Sequence, residues 1–198
     1  MPLADHPEFA RLLRSLKSSS PTIPWKGPCY RVAAEQWARS EDLFSGEGAR
    51  KIGGRWNRPG IAAAYASLDV HAAMSEWLAQ MKRAGISPKR AMPFVVGWGD
   101  ARLQRVLDVA DAALLRHLKL GKKALLEADW TAENLEGKES LPQALGRAAV
   151  RCRYEGLLVP SAVTRARNLV IFPAALRIGS RLTSHGLMGL PRPPRRPR

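Results

Sequence analysis

The chain has 198 residues, 45% of them hydrophobic, enough for one domain with a genuine core and some extra sequence at its ends. Its 32 Lys and Arg against 17 Asp and Glu leave a formal net charge of +15, which predicts attraction to polyanions: nucleic acid, a phosphorylated nucleotide or an acidic protein. Two cysteines give no basis for a disulfide framework and suit a reducing compartment, residues 1–8 lack the basic start and apolar run of a secretory signal, and no segment is apolar enough to span a bilayer; the sequence therefore predicts a cytoplasmic chain with no membrane part.

Asp5 with Glu8 makes a capping-box pattern, and Phe9, Leu12, Leu13 and Leu16 then fall on one helical face, so an amphipathic helix is expected to end near Lys17. Its apolar face needs cover, from its own domain or across a homodimer. Residues 18–28, rich in Ser and Pro, read as a linker. Extended segments are expected at 30–33, 61–67, 94–98 and 103–109, each short and rich in Val, Tyr, Phe or Trp. Asp69 can cap a helix running to about Lys82, with Val70, Met74, Trp77 and Met81 as its apolar stripe and Gly85 just past its end. A helix at 142–151, a buried strand at 156–159 and strands at 168–172 and 176–178 complete the reading. Helices of unequal length among short strands do not make a regular βαβ repeat, so the class is α+β. The organisation predicted is an N-terminal helix and linker (1–27), one domain (28–182) and an Arg/Pro-rich disordered tail (183–198), since Pro and Arg cannot bury apolar surface.

No metal site is predicted, because His6, His71, His117 and His185 are scattered and neither cysteine has a partner at ligand spacing. Gly46-Glu47-Gly48 lacks the third glycine and preceding strand of a dinucleotide fingerprint. More informative is the run from Gly53 to Gly60: two glycines before Arg55 let backbone approach a ligand, and a guanidinium fork suits a diphosphate. Read by itself, Arg55 is equally one more surface cation, Glu76 a solvated helix residue, Tyr65 a half-buried core aromatic and Ser161 the cap of a turn.

In order along the chain, Tyr30-Arg31-Val32, Gly54-Arg55-Trp56-Asn57, Tyr65-Ala66-Ser67, Glu76, Asp129-Trp130, Leu145-Gly146, the run from Tyr154 to Ser161 and that from Asn168 to Phe172 resemble the RES domain family over about residues 30–178. That resemblance implies a fold similar to ADP-ribosyltransferases, with a central mixed or antiparallel split β-sheet flanked by helices. It implies a toxin beside an Xre-type antitoxin, with NAD+ as substrate and no metal or tightly bound cofactor. The bond cleaved would join nicotinamide to ribose, by hydrolysis, by phosphorolysis or by transfer of ADP-ribose to a protein. Position by position, it makes Arg55, Tyr65, Glu76 and Ser161 catalytic, with Glu76 the acid, Ser161 its polar partner and Tyr65 beside nicotinamide. Arg31, Gly54, Trp56, Asn57 and Asn168 would bind or support NAD+. Arg58 departs from the family, which often has Pro there. The readings of another class are a non-catalytic basic nucleic-acid-binding protein, drawing on the +15 charge and six Trp, and a pure interaction module. On the resemblance, contact with nucleic acid would come through the antitoxin, or weakly through the basic tail.

Overall fold

The computed structural model describes residues 2–18, 21–34, 43–87, 90, 94–161 and 163–188. Helices α1 (Phe9–Ser18), α2 (Glu47–Ile52), α3 (Val70–Arg83), α4 (Ala112–His117), α5 (Lys122–Glu127), α6 (Trp130–Leu135) and α7 (Leu141–Arg151) alternate irregularly with strands β1 (Ile23–Ala34), β2 (Ala64–Ser67), β3 (Phe94–Asp108), β4 (Gly156–Pro160), β5 (Arg167–Ile171) and β6 (Arg181–Met188). The class is the α+β one expected, built round a mixed sheet of order β1-β2-β5-β4-β3-β6 in which, among the described residues, only β3 and β4 pair in parallel. Because β1 also pairs along the length of β3, the strands β1-β2-β5-β4-β3 form a closed circuit of hydrogen-bonded neighbours, with β6 outside it.

Strands β4 and β5 are buried on both faces, which explains their continuous apolar runs. On one side Leu157 and Val170 join Leu12, Leu16, Trp56, Leu145, Tyr154 and Phe172; on the other, Leu158, Leu169 and Ile171 join Cys29, Phe44 and Leu103.

Several local expectations are corrected. The stretch read as a linker becomes the first half of β1 from Ile23 onward, in spite of its prolines. Pro24 sits at the register irregularity between Ile23 and Trp25, and β1 meets β2 only at Tyr30, so a missing N–H is tolerated on its open side. The two extended segments at 94–98 and 103–109 are one strand, β3. No strand forms at 176–178, where a 3-10 turn (Pro173–Ala175) leads into a loop; β6 takes up residues 181–188 and so occupies the first six positions expected to be tail. The rest of that tail, residues 189–198, lies outside the described residues.

Helix α1 forms as expected, and its apolar face is covered by its own domain: Leu12 and Leu16 are buried in the core with α7. Each such leucine contributes about 1.5–3 kcal/mol of hydrophobic burial. The expected capping box is not made. The Asp5 carboxylate turns instead to Arg58 and Arg147, at 2.8 and 3.1 Å, while Glu8 pairs with Arg11. Arg58 also donates to the Leu3 carbonyl at 2.6 Å, and the buried Glu139 carboxylate accepts from Arg147 and from the His6 amide. The residue that departs from the family pattern is thus an anchor for the N-terminal segment. No described helix is long and apolar enough to cross a membrane.

Candidate active site

Asp69 caps α3 by accepting from the Ala72 amide at 2.8 Å, and the helix then buries Ala72, Ala73 and Trp77 against the sheet. Glu76 stands beside Trp77 and reaches the ends of β4 and β5. Its Oε1 accepts from the Ser161 hydroxyl at 2.5 Å and from Asn168 Nδ2 at 3.0 Å. Ser161 Oγ also accepts the amides of Val163 and Thr164, at 3.0 and 2.9 Å, so its single hydrogen is directed to the carboxylate. Behind Asn168, its Oδ1 accepts from Ser67 Oγ at 2.8 Å.

The glycine-rich run folds into a tight turn in which Gly54 and Asn57 exchange backbone hydrogen bonds, at 2.9 and 3.3 Å. The Tyr65 hydroxyl accepts from the Trp56 amide and donates to Asn57 Oδ1, each at 2.8 Å. Asn57 Nδ2 donates to the Ala49 and Ile61 carbonyls, at 2.8 and 2.9 Å. Trp56 and Asn57 are both buried, the first joining the hydrophobic core and the second bonding within the turn. Gly54 is needed for a close approach too, but that of Tyr65: a Cβ there would lie 2.6 Å from the Tyr65 hydroxyl oxygen. Burial raises the pKa of Tyr65 above the ordinary phenol value, so the hydroxyl remains protonated and can keep donating.

What the turn presents is Arg55. Its Nη1 donates to the Leu125 and Ala128 carbonyls at 3.3 and 3.0 Å, around the C-terminal end of α5, which holds the guanidinium without consuming all of its donors. Burial lowers its pKa, and the like charge of Arg83 at the end of α3 adds to this, while Tyr65, Glu76 and Asp129 act in the opposite direction. Arg31, on β1, has a buried Nη1 with no hydrogen-bond partner; burial lowers its pKa as well, opposed by Tyr65. A buried guanidinium nitrogen without an acceptor is costly unless an anion comes to it. The structure therefore gathers Arg31, Arg55, Tyr65, Glu76, Ser161 and Asn168 into one region, and sets Gly54, Trp56 and Asn57 behind it as the scaffold of the turn. Among the described residues no three His, Cys, Asp or Glu side chains group as metal ligands.

Three contributors have no role in the sequence reading: Arg83, Ser67, which stands there only as the end of the Tyr65-Ala66-Ser67 string, and Gln143. The last had a legible signal, Ser140 followed by Gln143, and both capping-box bonds form at the start of α7. The Gln143 amide then donates to the Gly54 and Asn57 carbonyls, at 3.0 and 3.3 Å, tying α7 to the turn. One turn further along α7, a Cβ on Gly146 would lie 1.8 Å from the Trp56 carbonyl oxygen, so only glycine lets helix and turn meet. Gly146→Ala is expected to cost about 3 kcal/mol or more by overpacking and to shift Arg55 with the turn. Chemical denaturation checks it, and an unchanged midpoint would contradict the contact.

A helix carboxylate held between two donors at the ends of two sheet strands thus lies near Arg55, in an α+β fold that also carries a buried, unpartnered guanidinium nitrogen on Arg31. The chain belongs to the RES domain family, whose pattern matches residues 28–186. It is similar to the NAD(+) phosphorylase MbcT of Mycobacterium tuberculosis and to that of Mycobacterium bovis, 29% identical to each over 144 residues, which covers 71% of this chain and 70% of the relative. Among solved structures it is similar to a chain in the M. tuberculosis MbcT–MbcA toxin–antitoxin complex, with TM-score 0.69, 25% identity and 93% of each chain covered.

Proposed function

We propose that the chain is an NAD+-consuming toxin that cleaves the nicotinamide–ribose bond by phosphorolysis, and that an antitoxin of the Xre type holds it in check in the cytoplasm. The observation that carries this reading is Glu76 fixed by Ser161 and Asn168 opposite cations with donors to spare. Support for phosphate as acceptor comes from the NAD(+) phosphorylase activity of the mycobacterial relatives, and for the antitoxin from the complex in which the structural neighbour was solved.

Arg31 and Arg55 bind the diphosphate of NAD+ and keep the ribose in place while the leaving group departs, contributing position rather than proton transfer. As the bond from the ribose anomeric carbon to the pyridinium nitrogen lengthens, positive charge moves onto the sugar, and the Glu76 carboxylate stabilises it as glycosidase carboxylates do. Nicotinamide leaves neutral with the bonding electron pair, so no general acid is required. A phosphate oxygen then bonds to the anomeric carbon, giving ADP-ribose phosphate. Tyr65, Gly54, Trp56 and Asn57 act by shaping the turn that presents Arg55, with the Tyr65 ring beside nicotinamide. Water or a protein side chain as acceptor would give ADP-ribose or a modified target.

The deciding experiment follows nicotinamide release from NAD+ by the purified chain with and without inorganic phosphate. Release that rises with phosphate, together with a phosphorylated ADP-ribose product, is expected. A rate indifferent to phosphate would sink the phosphorolysis reading, and no release under either condition would sink the enzyme reading.

A further inference from the structure

The carboxylate proposed as catalytic is held on one side by an amide that has its own buried support. Ser67 is the last residue of β2 and is 5% exposed. In register it stands opposite Asn168 of β5, which in turn stands opposite Val159 of β4, two residues before Ser161. The sheet thus carries Ser67 and Asn168 in one cross-strand row leading to the carboxylate. A hydroxyl at a buried strand position costs free energy unless bonded, and an apolar β-branched residue would otherwise suit the place better. The bond from Ser67 Oγ to Asn168 Oδ1, at 2.8 Å, answers that cost and occupies the carbonyl end of the amide. The other end, Nδ2, donates to Glu76 at 3.0 Å.

We propose that Ser67 is a positioning residue for Glu76, acting through Asn168: its hydroxyl holds the amide so that Nδ2, and not Oδ1, faces the carboxylate. This rests on the reading of Glu76 as the catalytic carboxylate. An Asn168 side chain without its support can turn toward other donors and release Oε1, leaving Glu76 to Ser161 alone. The change acts on the charge-stabilising step and leaves the arginines that grip the diphosphate untouched.

The test is a double-mutant cycle on NAD+ turnover, with Ser67→Ala, Asn168→Ala and the pair, beside Ser67→Thr and Glu76→Gln. Ser67→Ala is expected to lower kcat about tenfold, the loss of one buried hydrogen bond, with KM within about twofold of the wild type. In the Asn168→Ala background the same change should have no further effect, and Ser67→Thr, which restores a hydroxyl, should recover most of the rate. Equal losses in both backgrounds, or a loss confined to KM, would overturn the inference while leaving Glu76 in place. A Glu76→Gln variant with undiminished kcat would overturn the reading beneath it and the inference together. Thermal melting of each variant separates these effects from unfolding, and a Ser67→Ala chain that melts early with a kcat that Ser67→Thr does not restore also counts against it.

Discussion

Replacing Glu76 with Gln is expected to lower kcat for nicotinamide release by roughly 10²–10⁴-fold while leaving the melting temperature nearly unchanged. The amide has the same shape, and its oxygen can still accept from Ser161 and Asn168, at the 2.5 and 3.0 Å positions that now hold Oε1. What disappears is the negative charge. If the transition state carries positive charge on the ribose, a neutral oxygen at the same place stabilises it far less, and the loss falls on kcat more than on KM. On the proposed reading Arg31 and Arg55 remain to bind substrate, so NAD+ should still protect the variant against thermal unfolding. Steady-state kinetics with the melting curve measures both parts. A variant that keeps its rate would show that Glu76 is not the charge that matters.

The second large effect concerns the other glutamate of the family pattern, Glu155, and it is on stability. Glu155 is fully buried and accepts from the backbone amides of Gln104, Arg105 and Arg177, at 2.6, 2.8 and 2.7 Å. One carboxylate thereby ties β3 to the approach to β4 and to the loop before β6. Glu155→Ala would strand three backbone donors, each worth about 1–3 kcal/mol when buried without a partner, so about 3–9 kcal/mol in all. That is comparable with the whole stability of many domains, and the variant is expected to fold poorly or not at all. Burial opposes ionisation of this group, but the hydrogen bonds it accepts outweigh burial and set its pKa below the ordinary carboxylate value. A depressed pKa in the folded state means that the ionised form stabilises the fold. That contribution is complete above the unfolded value of about 4.3 and is lost as pH falls through it toward the folded one. Denaturation midpoints between neutral pH and about pH 3 should therefore fall more steeply for the wild type than for Glu155→Gln. Parallel slopes would contradict this account.

The two glutamates show how far residue order carries a functional reading. The family resemblance selects Glu76 and includes Glu155 in a neighbouring string, yet their separate tasks depend on what surrounds them. Glu76 meets two side-chain donors and lies near an arginine with donors to spare; Glu155 is buried, beside Ser180, and is held by three backbone amides. In the same way Arg55, Trp56 and Asn57 are adjacent along the chain, but the first is partly exposed near Glu76 while the other two are buried behind it. No pattern of residue types separates these cases, because burial is the property that does so.

By itself the sequence determined the α+β class, the amphipathic α1, the capped α3 with Glu76 on it, the apolar runs of β4 and β5, and the order of the motif strings. All of these rest on local spacing, which a chain carries wherever it folds. Only the tertiary structure decided that the Pro-rich stretch enters β1, that β3 is one long strand, that β6 exists, and that Arg58 secures the N-terminus. It also decided that Ser67 stands behind Asn168 and Glu76. The bonds responsible join residues 101, 92 and 85 positions apart, and satisfaction of a buried polar atom by so distant a partner leaves no periodicity to read.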